Sequence, residues 1–162
     1  MADFSKFSLE GKNAWITGAS YGIGFNIAKA FVEAGIKTII FNDINEAALE
    51  RGLANYKEAG ITNVKGYVCD VTDEVAIKNL VETIHKEVGQ IDILVNNAGI
   101  AKSGLLIDFS LDEWKKLFAV NVNGTFNATK AVIADMMSRG DGAVVNVSSV
   151  WGVKGASMEV AY

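Results

Sequence analysis

Short runs of β-branched and aromatic residues alternate along this chain with longer stretches whose apolar positions recur every three or four residues. AWIT (Ala14–Thr17) reads as a buried strand, and the periodicity after it predicts a helix over Gly22–Ala34. TIIF (Thr38–Phe41) is a second strand, followed by a helix over Glu46–Glu58, and Val64–Cys69 is a third strand. The next helix, Asp73–Val88, places Ile77, Leu80, Val81, Ile84 and Val88 on one face. IDILV (Ile91–Val95) is a fourth strand. A long helix then starts at Ser110, where S-L-D-E has the form of a capping box with Glu113, and runs to Arg139 before Gly140 stops it. AVVNV (Ala143–Val147) is the fifth strand. Continuous apolar strands alternating with helices predict an α/β fold with a parallel sheet covered on both faces. No linker or repeat divides the chain, so residues 1–162 are expected to form one domain.

Composition narrows the function classes. Half the residues are apolar and 21% are charged, which is globular usage. A net charge of −4 without a basic cluster argues against a nucleic-acid partner. No apolar run approaches membrane-spanning length, and the start MADFSKFSLEGKN lacks a signal-peptide core. The lone Cys69 has no intrachain disulfide partner and reads as a small buried hydrophobe in a reducing, cytoplasmic compartment. The only histidine, His85, sits in the charged stretch His85-Lys86-Glu87, so neither a triad nor a metal site is expected. Asp92 reads as a structural acid bonding nearby backbone. Sixteen glycines with no proline are unusual for a complete domain, whose loops commonly use some proline.

The glycines concentrate where chemistry is expected. In NAWITGASYGIGFNIAKAF, Gly18, Gly22 and Gly24 lie between the first strand and its helix. Such a turn bends tightly, admits a pyrophosphate close to backbone, and packs its helix closely, while the helix-start amides face the phosphates. The spacing is G-x-x-x-G-x-G, and an ordinary strand–helix turn is the alternative. FND ends the second strand. Asp43 there would accept hydrogen bonds from both adenosine ribose hydroxyls and repel a 2′-phosphate. Tyr21 occupies the loop position where a basic residue would favour NADP, so NAD is expected over NADP. Asn42 competes for Asp43's position, and a cap on the following helix is the other reading of Asp43. Asp70, after Cys69, suits the adenine amino group or a helix cap.

Four motifs in register carry a resemblance. TGASYGIG, VNNAG (Val95–Gly99), VNVNG and NVSSVWG stand in the order found in the short-chain dehydrogenase/reductase family, and the resemblance covers the whole chain. It implies a Rossmann-like doubly wound parallel sheet and an NAD(P)-dependent oxidoreductase interconverting a secondary alcohol and a ketone. The N-terminal part is similar to gluconate 5-dehydrogenases, the later part to 3-oxoacyl-carrier-protein reductases. By that resemblance Gly18, Ser20, Tyr21, Gly22, Ile23 and Gly24 hold phosphate and ribose. Asp43 takes the adenosine ribose, Asp70 and Val71 the adenine, and Asn97, Ala98 and Gly99 support the central strand and cofactor. Asn121 matches a catalytic Asn at a helix kink that holds a water. Ser149 matches the catalytic Ser, standing thirteen positions before Tyr162. Trp151 and Lys154 follow it where the family lines its substrate pocket, with a packing Trp and a surface Lys as the alternative. Trp114 and Phe118, four apart, read as core or subunit contact.

Tyr162 matches the Tyr of the family's Tyr-x-x-x-Lys pattern, because Tyr21, Tyr56 and Tyr67 have Phe25, Gly60 and Val71 four residues on. That Lys would lie past the last residue, so the resemblance implies a chain lacking its C-terminal strands and inactive by itself. It also implies a small-molecule substrate and a homo-oligomer, commonly a tetramer. A gluconate/5-keto-gluconate pair is the first choice of substrate, although IAKSGLL stands where gluconate dehydrogenases carry a basic, bulky stretch. The alternatives are a 3-oxoacyl thioester reductase using NADPH and a non-catalytic nucleotide-binding protein.

Overall fold

Successive side chains of a strand point to opposite faces, so a strand buried at every position needs a partner layer on each side. All five residues of β1 (Asn13–Thr17) are buried. In the computed structural model, which describes residues 7–162, that requirement is met by a parallel sheet between two helical layers. Strand order is β3-β2-β1-β4-β5, with β2 at Thr38–Asp43, β3 at Val64–Val68, β4 at Ile93–Asn96 and β5 at Ala143–Asn146. Ala14 and Ile16 face one core together with Ile39, Phe41 and Tyr56, against α1 (Gly22–Glu33) and α2 (Glu46–Glu58). Trp15, Ile40 and Leu94 face the other, against α3 (Glu74–Glu87) and α5 (Thr125–Arg139). The expected doubly wound fold is therefore present, and the order of strand addition reverses between the parallel neighbours β1 and β4, where such sheets open a crevice.

Several boundaries differ from the sequence reading, and three of them bear on the site and its support. β2 extends two residues past Phe41, because Asn42 and Asp43 pair with Tyr67 and Val68 of β3. β3 ends one residue before Cys69. β4 starts at Ile93, since Asp92 is used as a clasp: its carboxylate accepts the Asn13 amide at 2.8 Å and the Arg139 guanidinium at 3.2 Å.

The long helix is continuous from α4 (Leu111–Phe118) to Arg139, with both arms of the Ser110–Glu113 capping box formed. It is not uniform. Between Ala119 and Gly124 it widens into a π-helical segment, a departure that apolar spacing does not reveal. Gly140 ends it at φ 64°.

Asn42 shows why a polar residue sits inside the sheet. It is buried, accepts the Trp15 indole N–H at 3.0 Å and donates to the Cys69 carbonyl at 2.9 Å. Asn42→Ala would strand a buried donor and a buried acceptor, so urea unfolding should show a loss of about 2–4 kcal/mol.

Candidate active site

The carboxyl ends of β1 and β4 are joined by one polar lock. Thr17, the last residue of β1, accepts the backbone amides of Asn97 and Ala98 on its hydroxyl at 3.0 and 2.9 Å. Asn97 returns the contact, donating its side-chain amide to the carbonyls of Thr17 and Gly18 at 2.9 and 3.0 Å. Gly18 has φ 62°, and a Cβ on it would lie 2.9 Å from the Ala98 Cα. A Cβ on Gly24 would stand 2.5 Å from the Asn97 side-chain nitrogen. Gly24 therefore permits close packing of α1 on the loop after β4, not on the strand itself. Gly22, at φ 65°, has open space where its Cβ would be.

Beside this turn lies a cavity of about 430 Å³, lined by Tyr21, Gly22, Asp43, Asp70 and Val71 among others. Its residues come from the ends of β1, β2, β3 and β4 and from the long helix. Asp43 is half-buried at its edge, and its carboxylate accepts the Ile44 amide at 2.8 Å. Neither Asp43 nor Asp70 caps a helix. Asn45 caps α2 and Asp73 caps α3, while Asp70 accepts the Thr72 amide at 2.9 Å. Asn42, the rival of Asp43, spends both side-chain groups inside the fold. Val71 is buried against Gly124, where a Cβ would come within 2.6 Å of it. Cys69 also borders this cavity, and burial, followed by the nearby Asp70 and Asp73, pushes its thiol up to about 11. It is packed as the small hydrophobe the sequence suggests.

A second cavity, about 400 Å³, collects Asn121, Ser149 and Tyr162. It shares Ile23 and the run Asn97–Ile100 with the first, so the two form a continuous groove across the strand ends. Asn121 sits in the π segment, and its side chain pairs with Ile100 as a strand would: it accepts the Ile100 amide and donates to the Ile100 carbonyl, both at 2.9 Å. The Ser149 hydroxyl accepts the Trp151 amide at 3.2 Å. Trp151 and Lys154 are exposed and do not line this cavity.

One nominated residue turns the other way. Ser20 as a whole is 1% exposed, and its buried hydroxyl has no partner. It borders neither cavity, so the groove wall at this turn includes Tyr21 and not Ser20. The sequence reading also missed a pair beneath the site. Asn96 of β4 donates to the side chains of Asn146 on β5 and Thr129 on α5 at 2.8 and 2.9 Å. The signal was present, since VNNAG and VVNVSS each place an Asn at the end of an apolar strand.

The profile of the short chain dehydrogenase family matches residues 12–162. The chain belongs to that family. It is 39% identical over 155 residues to the 3-oxoacyl-[acyl-carrier-protein] reductase FabG of Salmonella typhimurium, covering 96% of this chain and 62% of the relative. It therefore spans less than two thirds of the curated relatives it matches. Among solved structures, a gluconate 5-dehydrogenase from Burkholderia cenocepacia in complex with NADP and tartrate superposes with a TM-score of 0.90 at 34% identity. That match covers 99% of this chain and 62% of the other. A 2-keto-3-deoxy-D-gluconate dehydrogenase from Streptococcus agalactiae is 47% identical with a TM-score of 0.79, over 90% of this chain and 55% of its own. No described helix is long and apolar enough to cross a membrane.

The lock has a measurable weight within this short-chain dehydrogenase fold. Thr17→Val keeps the shape but leaves the amides of Asn97 and Ala98 without their acceptor. Chemical unfolding should register a loss of about 2–4 kcal/mol, the cost of two stranded donors.

Proposed function

We propose that this chain forms the dinucleotide-binding and catalytic part of an NAD(H)-dependent oxidoreductase that interconverts a secondary alcohol and a ketone. One observation carries the reading. A single groove runs from a glycine turn flanked by Asp43 and Asp70 to the cluster Asn121, Ser149 and Tyr162. The glycine turn fits a dinucleotide on its own geometry: Gly22 lines the groove, and a Cβ there would occupy space now open. Gly18, Tyr21, Gly22, Ile23 and the start of α1 would hold the phosphates and their riboses. Asp43 would take the adenosine ribose hydroxyls, Asp70 and Val71 the adenine, and Asn97, Ala98 and Gly99 the nicotinamide side. A nicotinamide bound there supplies a hydride to the carbonyl carbon, or takes one from the carbinol.

The chain's own groups handle the oxygen. Ser149 would donate a hydrogen bond to the carbonyl oxygen and hold it beside the Tyr162 phenol. Tyr162 would deliver the proton to that oxygen during reduction and accept it during oxidation. Asn121, held by both polar groups of Ile100, would keep the wall of the site fixed where the helix widens. The roles form a set, because hydride arrival on carbon is productive only when the oxygen is protonated in step.

For the substrate we favour a polyol or sugar acid of the gluconate/5-keto-gluconate kind, in line with the two sugar-acid dehydrogenases among the matched structures. A 3-oxoacyl thioester is the second reading, favoured by the FabG match over 96% of this chain. NAD is favoured over NADP because a carboxylate at the ribose end repels a 2′-phosphate, and the neighbouring loop residue is Tyr21, not a cation.

Fluorescence titration should show NADH bound more tightly than NADPH. Asp43→Ser should narrow or reverse that preference by about tenfold, the scale of a lost charge-assisted hydrogen bond. Equal binding of both dinucleotides by the unaltered chain and by Asp43→Ser would sink the NAD assignment. With NADH bound, 5-keto-gluconate should tighten the complex and an acetoacetyl thioester should not; the opposite result selects the thioester reading.

A further inference from the structure

The glycine turn is gripped from behind by α2, and the grip falls on carbonyl groups. The Tyr56 hydroxyl donates to the Ala19 carbonyl at 3.0 Å, and the Asn55 side-chain amide donates to the Ser20 carbonyl at 2.8 Å. About one turn earlier on the same helix stands Gly52. A Cβ there would lie 2.7 Å from the Ser20 hydroxyl, 2.8 Å from the Phe41 ring and 2.9 Å from the Ser20 Cα. The missing side chain lets α2 approach until the donors of its next turn reach the loop. Tyr56 is fully buried, with its ring against Phe25 and Phe41 at centroid distances of 4.9 and 5.0 Å. Burial pushes its phenol well above the ordinary value, which keeps the hydroxyl protonated as a donor.

Peptide geometry converts this grip into a directional effect. No peptide bond in the described chain is cis, and in a trans peptide the C=O and N–H point in opposite directions. Holding the Ala19 and Ser20 carbonyls toward α2 therefore turns the amides of Ser20 and Tyr21 away from it. Among the described residues neither amide has a hydrogen-bond acceptor. The Ser20 hydroxyl is itself buried and supplies nothing to the groove. What this part of the turn offers a ligand is main chain, aimed by α2.

We propose that Asn55 and Tyr56 are positioning residues for the dinucleotide, holding two successive loop carbonyls so that the amide of Tyr21, the residue of this pair that lines the groove, stands ready for an oxygen of its adenosine half. The inference rests on the dinucleotide reading above and adds a determinant of affinity that touches no ligand. Donors fixed before binding lose little freedom on binding, so releasing the grip costs affinity even where the fold survives.

The test uses Tyr56→Phe, which removes one hydroxyl and keeps the ring, and Asn55→Asp, which replaces the donor with an acceptor of the same shape. Dissociation constants for NADH and for ADP-ribose are measured by calorimetry beside thermal unfolding. Each substitution should weaken both ligands by about three- to tenfold, the weight of one net hydrogen bond, and the double variant by more. A purely structural role predicts lower melting temperatures with both constants within about twofold of the parent (a difference under 0.5 kcal/mol by the usual conversion), and that result overturns the proposal. If Tyr56→Phe does not fold, Asn55→Asp decides alone. If the parent chain binds neither ligand, the dinucleotide reading itself fails and this inference falls with it.

Discussion

A sheet that presents a site at its strand ends must keep those ends in register after the ladder hydrogen bonds stop. Here that constraint is met by Thr17 and Asn97. Two amides converge on one hydroxyl, and one side-chain amide spans two carbonyls. All of these groups lie between the glycine turn and the loop after β4, where the two cavities meet. The glycines answer to the same lock: Gly18 and Gly24 lack side chains where Ala98 and Asn97 approach. Loosening the lock would separate the walls of the groove at its midpoint, because its members join the end of β1 to the loop after β4.

Neighbouring positions in this fold divide the interior from the groove. Asn42 and Asp43 are consecutive in β2, so the pleat sends them to opposite faces. Asn42 goes inward and spends its amide on Trp15 and Cys69. Asp43 goes to the groove. The same division holds at Asp70 and Asp73, of which one lines the cavity and the other caps α3. Ser20 and Tyr21 repeat it once more, the serine buried under Gly52 and the tyrosine exposed at the groove.

Local pattern made much of this legible. Apolar runs and three-to-four spacing located the five strands and four helices, the last read as one where the structure has α4, the π segment and α5, because burial along β1, β2 and β4 leaves no other reading of those runs. The glycine spacing located the turn, and Asn121, Ser149 and Tyr162, far apart in sequence, do share one cavity. Long-range contacts account for what the pattern missed. Asn42 and Asp43 look like a strand terminus until Tyr67 and Val68 are set beside them. Ser20 looks like a phosphate ligand until Gly52, distant in sequence, draws it under α2. The π segment keeps the apolar spacing of an ordinary helix, so no periodicity marks the extra residue it accommodates.

That extra residue has a structural consequence across the groove. The long helix touches the first cavity through Gly124, which admits Val71, and through Asn127, whose amide donates to the Val71 carbonyl at 3.0 Å. It touches the opposite cavity through Asn121, paired with Ile100. In an unbroken α-helix, residues three and six positions apart would keep the 100° step throughout, and one face would have to serve both loops. Widening the ladder between Ala119 and Gly124 shifts that phase and lets a single helix brace the loop after β3 and the loop after β4 together. Under the proposed function, one rigid element thus sets the separation between the site that holds adenine and the site that handles the carbonyl oxygen. A dinucleotide of fixed length requires that separation to be constant, and a helix supplies it where two independent loops would not.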